Sequence, residues 1–314
     1  MSRSDKAKSI ARCLQLAILL EASAHKPGNV NVVTDFEKTR YEHFLASAVA
    51  VTPSLESGAR RGIAVSEGKI DVAEVGVGKI IKYCVVDIAA WQHGGNTLLG
   101  TIILFSPIAV AAGMSSRNEC LDPSELRGNL KLVTSSTTPR DAVDVYDAIE
   151  IASPSGLGKA PDLDVKDPES KKRILEKKVS LYEVFKIAEP YDTICSEYVN
   201  NYHVTFDLAY PFLSKHLDQT LDPSSATIQA FLEVLAKVPD TFIARKTNIQ
   251  KAREVSLRTK EVVELGGVET SAGKKALNKL DKELRKQSNL LNPGTTADII
   301  AAALAVKVLA GYRP

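Results

Sequence analysis

No charged side chain occurs from Ile88 to Ser116, and the centre of that interval, TLLGTIILFSPIAVAAG, is apolar on every face that a helix could present. A segment of this kind has to be covered all round, by lipid or by the rest of its own chain. Its strictly apolar part is too short for a bilayer, and the interval also carries His93, four glycines, Asn96, Thr97 and Pro107. The expectation is therefore a helix buried in protein, which obliges the remaining sequence to supply helices that wrap it.

Those helices are readable as periodicity. Residues 6–24 put Ile10, Leu14, Ala17 and Glu21 on one line. Further helical patterns begin near Thr39 and run over 70–92, 171–188, 192–217, 224–237, 241–265, 272–288 and 295–312. Thr138 and Pro139 open another in the N-cap and N1 positions. Pro53, Gly58 and Gly62 read as a break after the second helix. Runs of period two are nearly absent and no repeat period is found. The fold expected is all-α, a single compact multi-helix domain over 1–314 with roughly ten or more helices and a hinge loop at 153–170.

With 314 residues, 44% of them hydrophobic, the chain can close a sizeable core. Its 40 basic and 38 acidic side chains nearly cancel, leaving no electrostatic footprint for nucleic acid or an anionic membrane. A polyanionic ligand would have to be met by a local site. Cys13, Cys84, Cys120 and Cys195 form no C-x-x-C pair, which argues against a zinc cage or disulfide framework and for reduced, buried thiols. The charged start, MSRSDKAKSIAR, lacks the pattern of a signal peptide, so the expected location is cytoplasmic.

Chemistry gathers at the helix ends. Glu21 is the one charged residue between Arg12 and Lys26, and a buried carboxylate demands an ion pair, with Lys26 or Arg12, or else a metal or ligand. In HKPGN, Pro27-Gly28 ends a helix, while the Lys26 charge and the amides of Gly28-Asn29 suit phosphate. His43 and Ser47 share one face of the second helix, whose start carries Thr39-x-x-Glu42 at capping-box spacing. HGGNTLLG sets Gly95, Asn96, Thr97 and Gly100 at the start of the buried helix, as caps or as a phosphate cradle. VPDTFIARKTN places Asp240 at a helix start ahead of Arg245 and Lys246. LNPGTTAD does the same with Asn292, Gly294, Thr295 and Asp298, where Thr295-x-x-Asp298 again has capping-box spacing. SGLGK, 155–159, has neither P-loop nor dinucleotide spacing and reads as a loop.

In order, EASAHKPGNV, GGNTLLGTI, PDTFIARK and LNPGTTADIIAAAL resemble the signature blocks of the triphosphoribosyl-dephospho-CoA synthase family, over residues 21 to 304. Gly28-Asn29-Val30-Asn31 stands where the family pattern has G-L-V-D. Asn96-Thr97-Leu98-Leu99-Gly100 stands where it has N-T-H-K-G, so the chain looks like a divergent, archaeal-type member. The resemblance implies an all-α pentosyltransferase that joins ATP to 3′-dephospho-CoA through a 2′-(5″-triphosphoribosyl) linkage and releases adenine. Displacing adenine develops positive charge on the sugar, so Glu21, Asp35 and Asp298 are the catalytic candidates, with Glu21 and Asp35 as Mg²⁺ ligands. Lys26, Pro27, Gly28, Asn29, His43, Ser47, Gly95, Asn96, Thr97, Gly100, Arg245, Lys246, Asn292, Gly294 and Thr295 are the candidates for holding ATP. The partners expected are the nucleotide and a dephospho-CoA-like acceptor, with a homodimer compatible. Two other readings stay open, a nucleotide-binding regulatory or scaffold protein without turnover and a metal-dependent nucleotide hydrolase.

Overall fold

The computed structural model describes residues 3–117, 119–158, 160–220, 222–286 and 289–314. In chain order the helices are α1 (Arg3–Ser23), α2 (Tyr41–Ala50), α3 (Thr52–Ser66), α4 (Val77–Trp91), α5 (Leu99–Met114), α6 (Pro123–Ser135), α7 (Pro139–Ala152) and α8 (Ser170–Glu176). They continue as α9 (Leu181–Ala188), α10 (Thr193–Val199), α11 (Tyr210–Thr220), α12 (Pro223–Lys237), α13 (Thr241–Lys246), α14 (Ile249–Glu264), α15 (Ser271–Arg285) and α16 (Gly294–Leu309). Among the described residues there is no strand beyond one isolated bridge, Asn31 to Thr34. The all-α class is borne out.

Helix α5 is the uncharged segment, and apart from Gly100 and Met114 every one of its residues is buried. Among the described residues no helix is long and apolar enough to cross a membrane. Helix α16, nearly as apolar around its circumference, packs beside it, and α3, α6, α4 and α1 close the other faces. The α3–α5 contact is backbone against backbone: a Cβ on Gly62 would run into the Val110 carbonyl, and one on Gly113 into that of Ala59. This corrects the break expected at Pro53, Gly58 and Gly62. Pro53 sits in the first turn of α3, where no amide is lost, and both glycines lie within the helix as its contact surface.

Three other expected helices divide, each for a local reason. The 192–217 pattern stops after α10, where Asn201 and Tyr202 take left-handed φ of 53° and 56°. The fully buried Glu197 carboxylate accepts the amides of Val204 and Thr205 at 2.7 and 2.8 Å, turning the chain into a π-helical segment, Thr205–Ala209, ahead of α11. The 241–265 pattern splits because Asn248 caps α14 through the Lys251 amide at 2.8 Å. The 171–188 pattern splits because Ser180 and Glu183 form a capping box for α9. Thr138 and Pro139 open α7 as expected. Cys13, Cys84 and Cys195 are buried thiols, but Cys120 is exposed, a correction to the expectation for all four. Residues 287–288, at the end of the expected 272–288 helix, and Lys159 of SGLGK lie outside the described residues.

Candidate functional site

A cavity of about 530 Å³ opens where helix ends converge: the C-terminus of α1 and the starts of α5, α10, α13 and α16. The loop carrying Phe36 and Lys38 and the segment Ser153 to Leu157 complete its wall. Hydroxyls stitch three of those starts together. The Thr241 hydroxyl accepts the Thr193 amide at 3.1 Å and lies 3.3 Å from the Thr295 hydroxyl. Asp240, fully buried, caps α13 through the amides of Phe242 and Ile243 at 2.9 and 3.0 Å. Its other oxygen takes the amide and hydroxyl of Thr296 at 2.7 and 2.8 Å, tying α13 to α16.

Those last bonds decide the fate of Thr295-x-x-Asp298. Helix α16 starts at Gly294, so Thr295 already lies inside it and the expected capping box does not form. Asp298 instead reaches across to α5, where its carboxylate accepts the Thr101 hydroxyl at 2.5 Å. It ties one helix to another. Gly100 is what permits the approach, since a Cβ there would overlap the Asp298 carboxylate. Burial first, with the charges of Glu21 and Asp240 adding, pushes the Asp298 carboxyl up to about 7 against the pull of the Thr101 hydrogen bond.

Glu21 faces the same cavity from the last turn of α1. Its carboxylate pairs with Lys26 at 3.0 Å, and the Lys26 ammonium also donates to the carbonyls of Ala24, at 3.1 Å, and of Glu21 itself. Lys26 is only 1% exposed and is absent from the cavity wall. The lysine therefore serves as the internal counter-charge of Glu21, and its ammonium has no donor left for a ligand.

Of the remaining residues singled out in the sequence, Asn29, Gly95, Asn96, Thr97, Gly100, Arg245, Asn292, Gly294 and Thr295 line the cavity. Pro27 and Gly28 do not. The Gly28 amide donates to Asp281 at 2.8 Å, and Leu284 and Pro293 pack where a side chain would stand. Asp35 is exposed and off the wall, its carboxylate accepting the Tyr41 amide at 2.9 Å. His43 and Ser47 stand behind the wall, bracing it. The His43 ring abuts Gly94, and the Ser47 hydroxyl donates to the His43 carbonyl at 2.7 Å and meets the Thr97 hydroxyl at 2.8 Å. Thr39 forms no capping box; its hydroxyl goes to the Gly94 carbonyl at 2.7 Å. Arg245 is held by an ion pair with Asp192, the N-cap of α10. Lys246 lies off the wall, donating to the Asn289 carbonyl at 2.5 Å over the Phe242 ring, and burial draws its ammonium down to about 8.

Sequence reasoning missed Lys38, His93, Thr101, Asp192 and Phe185 on the wall. Asp192 and Thr101 carry a faint signal as residues beside helix starts. The others sit in loops or on ordinary helix faces, with no periodic mark.

Among the described residues no three His, Cys, Asp or Glu side chains come close enough to hold a metal by themselves. Glu21 and Asp35 do not share a surface. Magnesium fills its octahedron largely with water and phosphate oxygens, so this wall, which offers Glu21 but not Asp35, would accept it only as an ion carried on phosphates.

Residues 7–313 match a family model described as ATP:dephospho-CoA triphosphoribosyl transferase. Two curated relatives are provisionally named 2-(5″-triphosphoribosyl)-3′-dephosphocoenzyme-A synthase. The one from Pseudomonas savastanoi pv. phaseolicola is 29% identical over 98 residues, 31% of this chain and 33% of that protein. The one from Pseudomonas syringae pv. tomato is 27% identical over 96 residues, 31% and 32% respectively. The matched region thus spans about a third of the length of these relatives. A solved structure provisionally named triphosphoribosyl-dephospho-CoA synthase, from Archaeoglobus fulgidus, aligns over 86% of this chain and 100% of that one, with a TM-score of 0.61 at 20% identity, which is a likeness of fold.

Proposed function

The chain belongs to the ATP:dephospho-CoA triphosphoribosyl transferase family, and on that premise we propose that it is a transferase that binds ATP in this cavity and passes the triphosphoribosyl group to 3′-dephospho-CoA. The observation that carries the reading is the unequal carboxyl pair in one cavity: Glu21, ion-paired with Lys26, and Asp298, whose carboxyl holds its proton up to about 7. Two acids driven apart by their surroundings are how a site divides charge stabilisation from proton handling.

The division of labour follows from the chemistry. As the C1′–N9 bond breaks, positive charge gathers on the ribose, and the Glu21 carboxylate is the negative group placed to stabilise it. As the acceptor oxygen bonds to C1′, its proton passes to the Asp298 carboxylate, and that same proton is handed on to the departing purine, so adenine leaves neutral and Asp298 returns to the carboxylate. A carboxyl that titrates near neutrality is well matched to that task. The Gly100 and Thr295 amides, on the wall at the starts of α5 and α16, are the donors offered to phosphate oxygens, those of Leu99 and Thr296 being taken by Asn96 and Asp240. Magnesium, when bound, supplies charge neutralisation along the triphosphate.

Chromatography of ATP incubated with the protein and Mg²⁺, with and without 3′-dephospho-CoA, tests the proposal. Expected are adenine release dependent on the acceptor and a fall of about 10²–10⁴ in rate for Asp298→Asn. ATP that stabilises the fold without being consumed would make the protein a binder. Adenine or phosphate release independent of acceptor would make it a hydrolase. Either result, or an Asp298→Asn variant working at the parent rate, overturns the assignment.

A further inference from the structure

We propose that Lys38 and His93 form a phosphate clamp at the rim of the cavity, a subsite for the distal phosphates of the nucleoside triphosphate. This rests on the transferase reading for the identity of the ligand, though not for the existence of the subsite.

The observation is that two loops distant in sequence are locked together at this point of the wall. The Thr39 hydroxyl donates to the Gly94 carbonyl at 2.7 Å, so the residues next to each, Lys38 and His93, are neighbours on one rim, and both line the cavity. Each backbone is braced independently. On one side Phe36 donates to the Thr39 carbonyl at 2.9 Å and Asp35 takes the Tyr41 amide at 2.9 Å. On the other, the Gln92 amide group spans the turn, accepting from the Gly94 amide and donating to the Gly95 carbonyl at 2.8 Å. Gly94 is pressed against His43 so closely that a Cβ could not be accommodated.

The side chains on this rigid frame are uncommitted. Both are exposed, and among the described residues neither has an acidic partner, whereas Arg245, the other basic group of the wall, is spent on Asp192. A fixed backbone carrying an ammonium and an imidazole at the edge of a cavity, with the left-handed Gly95 turn beside them, is suited to an anion with several oxygens. Geometry selects the triphosphate. Glu21 and Asp298 fix where the ribose C1′ must lie, and the 5′ chain of the same ribose has to run away from them toward an opening.

The test uses inorganic tripolyphosphate, which has no ribose and undergoes no transfer. Titration calorimetry with the intact protein is expected to show binding that weakens with added salt. Affinity should fall roughly tenfold or more in the Lys38→Met, His93→Gln double variant and recover in part with Lys38→Arg. Because both side chains are exposed, the melting temperature without ligand should stay at the parent value. Equal tripolyphosphate affinity in parent and double variant, no binding by the parent, or a loss confined to 3′-dephospho-CoA each overturn the clamp. A clamp that passes while no adenine is released from ATP would leave the subsite standing and remove the transferase reading.

Discussion

At the scale of single residues, the site depends on charges kept where hydrocarbon would be cheaper. Asp298 is the clearest case, since its folded carboxyl holds a proton up to about 7 while an unfolded aspartate titrates near 3.9. The folded state therefore binds more protons than the unfolded one between those values, and stability falls as pH rises through the window. The full difference is on the order of 4 kcal/mol. Asp298→Asn keeps an acceptor for Thr101 but cannot ionise. Denaturant melts at pH 5 and pH 8 should therefore show the parent weakening more with pH than the variant, with the variant the more stable at pH 8 and the less active. A variant as pH-sensitive as the parent would remove Asp298 as the source. Loss of the Lys26 ammonium should destabilise the fold. Replacing the lysine by Met strands the Glu21 carboxylate, 6% exposed, without its partner, and should cost about 3–5 kcal/mol by chemical denaturation.

At the scale of elements, glycines set how close the helices come. Gly62 meets the Val110 carbonyl through its bare Cα, so Gly62→Ala should destabilise by about 1–3 kcal/mol or more, since backbone cannot move aside as a side chain would. Gly128, in the middle of exposed α6 surface with nothing near its missing Cβ, is the internal control. Gly128→Ala should stabilise by about 0.5–1 kcal/mol, and equal effects at both sites would refute the packing argument. The same contrast explains what could be read from the sequence. Helices α5 and α16 announce themselves because an uncharged run has few places to go, and the ends of α7 and α13 because threonine and aspartate caps are local chemistry. The interior glycines of α3 read as a break because their purpose, contact with another helix, lies some fifty residues away. Gly28 reads as a phosphate binder for the same reason, its partner Asp281 lying far along the chain, whereas the Glu21–Lys26 pair is one of the readings open in the sequence and is the one the fold adopts.

At the scale of the molecule, the cavity wall is assembled from the end of the first helix, the start of the central one and the start of the last, with residues from Glu21 to Asp298 meeting in one space. Those three helices are also the core, as α1 and α16 pack against each other and both against α5. A ligand that bridges the wall consequently binds the folded chain and not the unfolded one, and at about a hundred times its Kd it should add about 2.7 kcal/mol to global stability. Hydrogen exchange separates that global term from local closure. With ATP and Mg²⁺ the amides of residues 21–31, 92–101 and 289–298 should slow together, because each segment ends on the wall, while those of α6 should change no more than the global term requires. The helices cannot be pulled on singly, since Asp298 ties α16 to α5 and Asp240 ties α16 to α13. Protection confined to one of the three segments would mean that the nucleotide sits on a loop at the mouth and never reaches the paired carboxyls, and the catalytic roles given to Glu21 and Asp298 would fall with it.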